Sequence, residues 1–128
     1  MDDERHHFPL CTVPPVDIAP LPELAARHPA LPIVVTNAGN GDVAKVASLL
    51  DSAPNLYFEM SHFEIVGGVE TLARRIGVER VLFGTHAPYY YPESSVLKVT
   101  RECQFTSDEL DAILSANAER VLAQTASQ

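Results

Sequence analysis

Residues 80–88, Arg-Val-Leu-Phe-Gly-Thr-His-Ala-Pro, pass from an apolar run to a glycine, a hydroxyl and an imidazole without a break. His86 therefore stands directly beyond the end of an apolar segment. Imidazole changes charge near neutral pH, so it can hold a proton, move one, or bind a metal through one ring nitrogen. Three other stretches carry comparable groups. Glu59, Ser61, His62 and Glu64 follow a second apolar run, and Thr36, Asn37 and Gly39 follow a third. Asp3, Arg5, His6 and His7 lie near the start. Carboxylates and imidazoles gathered in one pocket are the groups of acid–base catalysis and of divalent-cation ligation. The glycines carry no phosphate-binding spacing, because Asn37-Ala38-Gly39-Asn40-Gly41 fits neither the Walker pattern nor GxGxxG.

Periodicity shows which elements must position those groups. Pro20 to His28 reads as a helix with Leu21, Leu24, Ala25 and His28 on one face, started by prolines and ended by Pro29. Ile33 to Thr36 reads as a strand. Asp42 is placed to cap a helix whose stripe is Val43, Val46, Ala47 and Leu50. Leu56 to Met60 is a second strand. Val69, Leu72, Ala73 and Ile76 mark a third helix that ends at Gly77. Val78 to Gly84 is a third strand. A helix follows over Ser94 to Arg101. Thr106-Ser107-Asp108-Glu109 then has capping-box spacing ahead of a last helix with Leu110, Ile113, Leu114, Val121 and Leu122 on one side.

Strands alternate with helices, and strand starts lie roughly two dozen residues apart, which fits right-handed crossovers and a parallel sheet. Strands that are apolar almost throughout predict a sheet covered on both faces. In parallel α/β proteins ligands bind at the carboxyl ends of the strands. The residues just past each strand are the ones named above, so they are expected to line one mouth.

Composition excludes several partners. A formal net charge of -8 without a Lys/Arg run excludes a basic footprint, so neither nucleic acid nor an acidic membrane surface is expected. No apolar stretch is long enough to cross a bilayer. The acidic start at Asp2, Asp3 and Glu4 is the reverse of a secretory leader. Cys11 and Cys103 have no metal or redox spacing and read as reduced packing residues, which points to the cytoplasm.

The residues also resemble a known family. Arg80 to Pro88, followed by Asn117-Ala118-Glu119-Arg120-Val121-Leu122, is similar to the carboxyl-terminal half of the amidohydrolase-related family. There the eighth barrel strand reads R-hydrophobic-LFGSD-x-P. Asn55 to Ser61 resembles the family's seventh strand, and His28 to Val35 the lead into its sixth. The resemblance covers roughly residues 20 to 123. It implies a metal-dependent hydrolase or decarboxylase on a TIM barrel, acting on a small-molecule substrate. This chain would supply its carboxyl-terminal part: three to four parallel strands with helices, forming a single partial domain over residues 1–128.

Two positions depart from the family pattern. His86 stands where the family has an aspartate that binds metal or handles water's proton, and a histidine can do either task. Asn37 stands where the sixth strand normally ends in a metal-ligating histidine, and an amide carbonyl is a poor zinc ligand. The resemblance therefore implies His86 as catalytic residue and as metal ligand. Asn37, Glu59, Arg5 and Thr85 are implied as substrate-binding residues, and a divalent metal, zinc, as cofactor. Plainer readings stand beside these. His86 can hydrogen-bond locally, and Asn37 can be a turn residue. His62 and Glu64 can be an exposed loop, and Asp3 to His7 a frayed start. Tyr89 to Tyr91 can be packing rather than a substrate wall, and Asn117 reads as a structural amide.

A TIM barrel takes about 250 residues, so the chain is expected to be the back half of one. A homodimer that closes a barrel and a separate small α/β domain are the other readings. The functional expectation is hydrolysis of a small polar substrate by the complete protein. The alternative is an inactive half-barrel without cofactor, serving as a binding or assembly module.

Overall fold

In a computed structural model, residues 17–38 and 43–126 are described. Helix α1 spans Leu21–Arg27, with Pro20 and Pro22 at its start, where a missing N–H removes no helical bond. Strand β1 is Ile33–Val35 and helix α2 is Val43–Asp51. Strand β2 is Leu56–Glu59, and helix α3, Gly68–Ile76, ends at Gly77 with φ 98°. Such a φ favours glycine, as the sequence foretold. Strand β3 is only Val81–Leu82. Helix α4, Pro92–Leu97, widens into a π-helical turn over Lys98–Glu102. Helix α5, Ser107–Asp111, widens likewise over Ala112–Ala116 before α6, Asn117–Ala126.

The sheet is parallel, in the order β1-β2-β3. Val35 pairs with Phe58, and Phe58 with Val81. Sequential parallel strands joined by helices are the arrangement of a TIM-barrel segment, which is the fold class the sequence predicted. One face of the sheet carries Leu56, Phe58 and Val81 into the main core against α2 and α3, where Val46, Ala47, Leu50, Val69, Leu72, Ala73 and Ile76 are buried. Burying each large apolar side chain there stabilises by about 1.5–3 kcal/mol. The other face carries Tyr57 and Leu82 under Val121 and Ala118 of α6. Thr106 and Glu109 form the expected capping box.

Four sequence expectations need correction. Residues 78–80 form a 3-10 turn rather than the start of β3. This turn brings Arg80 to the carbonyls of Leu50, Ala53 and Leu56. Coverage of the sheet is not uniform: Val34 is 37% exposed because α6 reaches only β2 and β3. In α1, Leu24 and His28 are exposed and only Ala25 is buried. In the last helical segment Leu114 and Leu122 are exposed while Ile113 and Val121 are buried. The π-helical turn over Ala112–Ala116 widens the helix there, and Ile113, Asn117 and Val121, four residues apart, form the buried side instead of the predicted stripe. That turn has a use: the Ile113 carbonyl accepts the Phe83 N–H at 3.1 Å, where a further strand would otherwise be needed.

Candidate active site

Two loops at the carboxyl end of the sheet carry the site. The first leaves β2. The Met60 N–H donates to the Leu82 carbonyl at 3.2 Å, so the strand pairing runs one residue past Glu59. The Phe63 N–H turns back to the Met60 carbonyl, and the buried Phe63 ring packs edge-on against Phe58 at 5.1 Å. His62 is thus held between two anchored residues. The second loop leaves β3. The His86 carbonyl accepts the N–H groups of both Tyr89 and Tyr90, which curls residues 86–90 into a turn. The rings then meet. His62 and His86 are edge-to-face with centroids 5.7 Å apart, and Tyr90 stacks on His62 at 5.6 Å. Tyr90 lies 5.3 Å from the His86 ring and Tyr89 lies 5.5 Å from it. Tyr90 is half-buried, whereas Tyr89 and Tyr91 are exposed, so the tyrosine run splits between site and surface.

His86 and Asn37 share an uncommon backbone. Each has φ 53°, and among the described residues no other non-glycine has positive φ. This left-handed region is sterically unfavourable for a residue with a Cβ, although Asn and His enter it more often than most. Both lie at strand ends, where backbone strain is often stored.

Glu59 is half-buried at the foot of both loops. Its carboxylate accepts the Ser61 N–H at 2.7 Å and the Ser61 hydroxyl at 2.8 Å. It also lies against the bare Cα of Gly84. Thr85 accepts the Ala87 N–H at 3.3 Å and is half-buried. Glu64 is paired at 2.9 Å with Lys98, whose side chain is 7% exposed, and the Gly67 N–H donates to Glu102. These two contacts fasten the far end of the His62 loop to the π-helical turn after α4.

Of the residues expected to act together, His86, Thr85 and Glu59 are brought to one region, with His62 beside them. Asn37 lies beyond β1, with β2 between it and β3. Arg5, with Asp3, His6 and His7, lies outside the described residues. So do Gly39, Asp42 and Cys11. Cys103 is a buried free thiol, and burial pushes its pKa up, as suits a packing residue. Asn117 donates to the carbonyls of Val78 and Val81, the structural role expected of it. Lys98 is missing from the sequence reading, and Ser61 and Gly84 enter it only as strand-end residues without their contacts to Glu59. The Glu-x-Ser spacing was visible for Ser61, but the contacts of Gly84 and Lys98 join distant segments and leave no local signal.

The donor set can be tested against a metal. A catalytic zinc takes about three protein ligands and leaves one position open. Among the described residues no group of three or more His, Cys, Asp and Glu side chains is placed to hold a metal ion. Both Glu59 oxygens already accept from Ser61, and Asn37 is a neutral amide one strand further away. The described residues thus do not fit a catalytic metal. A cavity of about 310 Å³ opens elsewhere, lined by Pro29, Pro54, Tyr57 and Gln124. It has no titratable chemistry beyond a tyrosine and lies at the amino ends of the strands.

The parallel three-stranded sheet with its helices defines the class: an α/β protein consistent with part of a TIM barrel. The sequence model of the Amidohydrolase family matches residues 6–124, and the chain belongs to that family. Neither the curated proteins nor the solved structures contain a match. Family membership supports a hydrolase-like function. No helix among the described residues is long and apolar enough to cross a membrane.

Proposed function

We propose that this chain carries the proton-handling part of a hydrolytic site for a small polar substrate, with His86 as the catalytic base. The observation that supports it is His86 itself: an imidazole held in a left-handed backbone at the carboxyl end of β3, packed against a second imidazole and Tyr90. A ring nitrogen of His86 takes a proton from water as the water oxygen bonds to the substrate's acyl carbon. It returns that proton to the leaving group as the bond to that group breaks, so the histidine ends as it began. Thr85 and Asn37 hydrogen-bond polar groups of the substrate, and Arg5 is assigned the same task. Zinc enters this reading only through ligands outside the described residues, and none of these steps is routed through it.

His86→Ala tests the reading. It is expected to abolish turnover of a panel of small amides and esters in the complete protein while the melting curve stays cooperative. Unchanged turnover would remove His86 from the reaction. The second reading is a binding or assembly module without chemistry, favoured by the amide at Asn37 in place of a ligating histidine. Under it the wild-type protein hydrolyses none of the panel, with or without added zinc.

A further inference from the structure

Glu59 connects the two loops at their roots. Its carboxylate accepts both hydrogen bonds from Ser61, the residue immediately before His62. The same carboxylate occupies the space beside Gly84, two residues before His86. A methyl group built on Gly84 would overlap Glu59 Oε1 and lie 2.5 Å from Cδ. One side chain therefore touches the bases of both imidazole-bearing loops, and those imidazoles meet edge-to-face. Ser61 is 2% exposed, so its hydroxyl has little access to water as a replacement partner. The carboxylate lies between the loops, fully engaged on the Ser61 side and in van der Waals contact on the Gly84 side.

We propose that Glu59 is a positioning residue. It sets the contact between His62 and His86, and position 84 is glycine because the carboxylate takes the room of a side chain. This deepens the proposed hydrolytic reading, on which only its functional meaning rests. The geometry is read without turnover, so either can fail alone.

The test follows ring contacts by NMR in protein with labelled histidine and tyrosine rings, each histidine assigned by its own substitution. Wild type is expected to show a cross-peak between the His62 and His86 rings, and a His62 shift displaced by the stacked Tyr90 ring. Gly84→Ala needs only that the flexible carboxylate swing away, which breaks its bonds to Ser61. Loss of the cross-peak in that variant, and equally in Glu59→Leu, is the expected result. Glu59→Gln keeps an oxygen for Ser61 and restores the cross-peak, a rescue that a purely packing role does not predict. Asp51→Asn, which breaks an ion pair with Arg75 on the helical side, leaves the cross-peak unchanged. Should Gly84→Ala and Glu59→Leu fail to fold, Ser61→Ala decides, because it removes one hydroxyl only. A weakened cross-peak there supports the proposal. Ring contacts unchanged in every folded variant overturn it.

Discussion

The two ends of the sheet treat polar side chains in opposite ways. At the amino ends, the side-chain donors go to backbone carbonyls, although the Asn117 Oδ1 acceptor is buried without a partner among the described residues. Asn55 donates to the carbonyls of Ala25, His28 and Leu31 at 2.8–3.2 Å, closing the end of α1 onto β2. Arg80 does the same for the end of α2, donating to Leu50, Ala53 and Leu56. Burial pulls its guanidinium pKa down, and Asp51 and Glu79 oppose that. Asn117 and Arg120 fasten the last helix to the turn before β3. At the carboxyl ends, Asn37 and His86 sit in left-handed backbone, and His62 Nδ1 is buried without a partner among the described residues. Helix carbonyls left unpaired in the interior are costly, so one end is built to close. The other keeps an imidazole nitrogen unpaired among the described residues, beside the engaged carboxylates of Glu59 and Glu64.

The sharpest way to break this comparison is at Asn55. Asn55→Ala removes the side-chain donor shared by three carbonyls, of which Ala25 and His28 keep a backbone N–H partner among the described residues and Leu31 does not, and the expected loss is about 1–2 kcal/mol. The fall in urea midpoint measures it, and the His62–His86 ring contact should persist in the folded fraction. A loss of 0.5 kcal/mol or less would mean that water reaches those carbonyls and that the amino end is not closed.

Much of this contrast was legible in sequence, but unevenly. The apolar stripes of α2 and α3 gave their buried faces directly, because 3.6-residue periodicity is a local property. The Thr106–Glu109 spacing gave the capping box. The stretch around His86 gave the family and placed the imidazole at a strand end. What stayed hidden depends on distance. Arg80 looked like the start of a strand, since nothing nearby shows that its partners lie some 24 to 30 residues back. Glycine at 84 looked like a strand terminator, and only the fold shows the Glu59 carboxylate against it. The π-helical turn at residues 112–116 broke a stripe that read as continuous, because a widened turn answers to its strand partner and not to residue type.

A carboxylate outside the site gives the next, smaller test. The Arg74 guanidinium, and after it the Thr106 N–H, hold the Glu109 carboxyl down at about 2, below its usual 4.5. Unlike Glu59, which among the described residues accepts from a serine, Glu109 has a cation as partner. Its folded-state pKa is depressed, so its contribution to stability is present in full above the ordinary carboxylate range. That contribution is lost as pH falls towards about 2. The pair is exposed to solvent, and the effect is correspondingly modest. Urea midpoints of wild type and Glu109→Gln should differ at pH 7 and converge on acidification. A gap that stays constant with pH would show that the capping hydrogen bonds, not the ion pair, carry the contribution.

The smallest effect separates the two readings of Asn37. Its side chain is exposed and its φ is 53°. Glycine enters that region freely, while asparagine pays a small steric penalty there. If the amide is retained for a ligand, Asn37→Gly stabilises the fold by about 0.5 kcal/mol, since it relieves strain and removes nothing the fold needs. If the amide instead bonds its own turn, as asparagine often does, the same substitution destabilises by a similar amount. The direction of the shift in urea midpoint is therefore more informative than its size. A gain places Asn37 with His86 among the groups held ready at the carboxyl end. A loss moves it to the company of Asn55 and Asn117, whose amides serve the backbone.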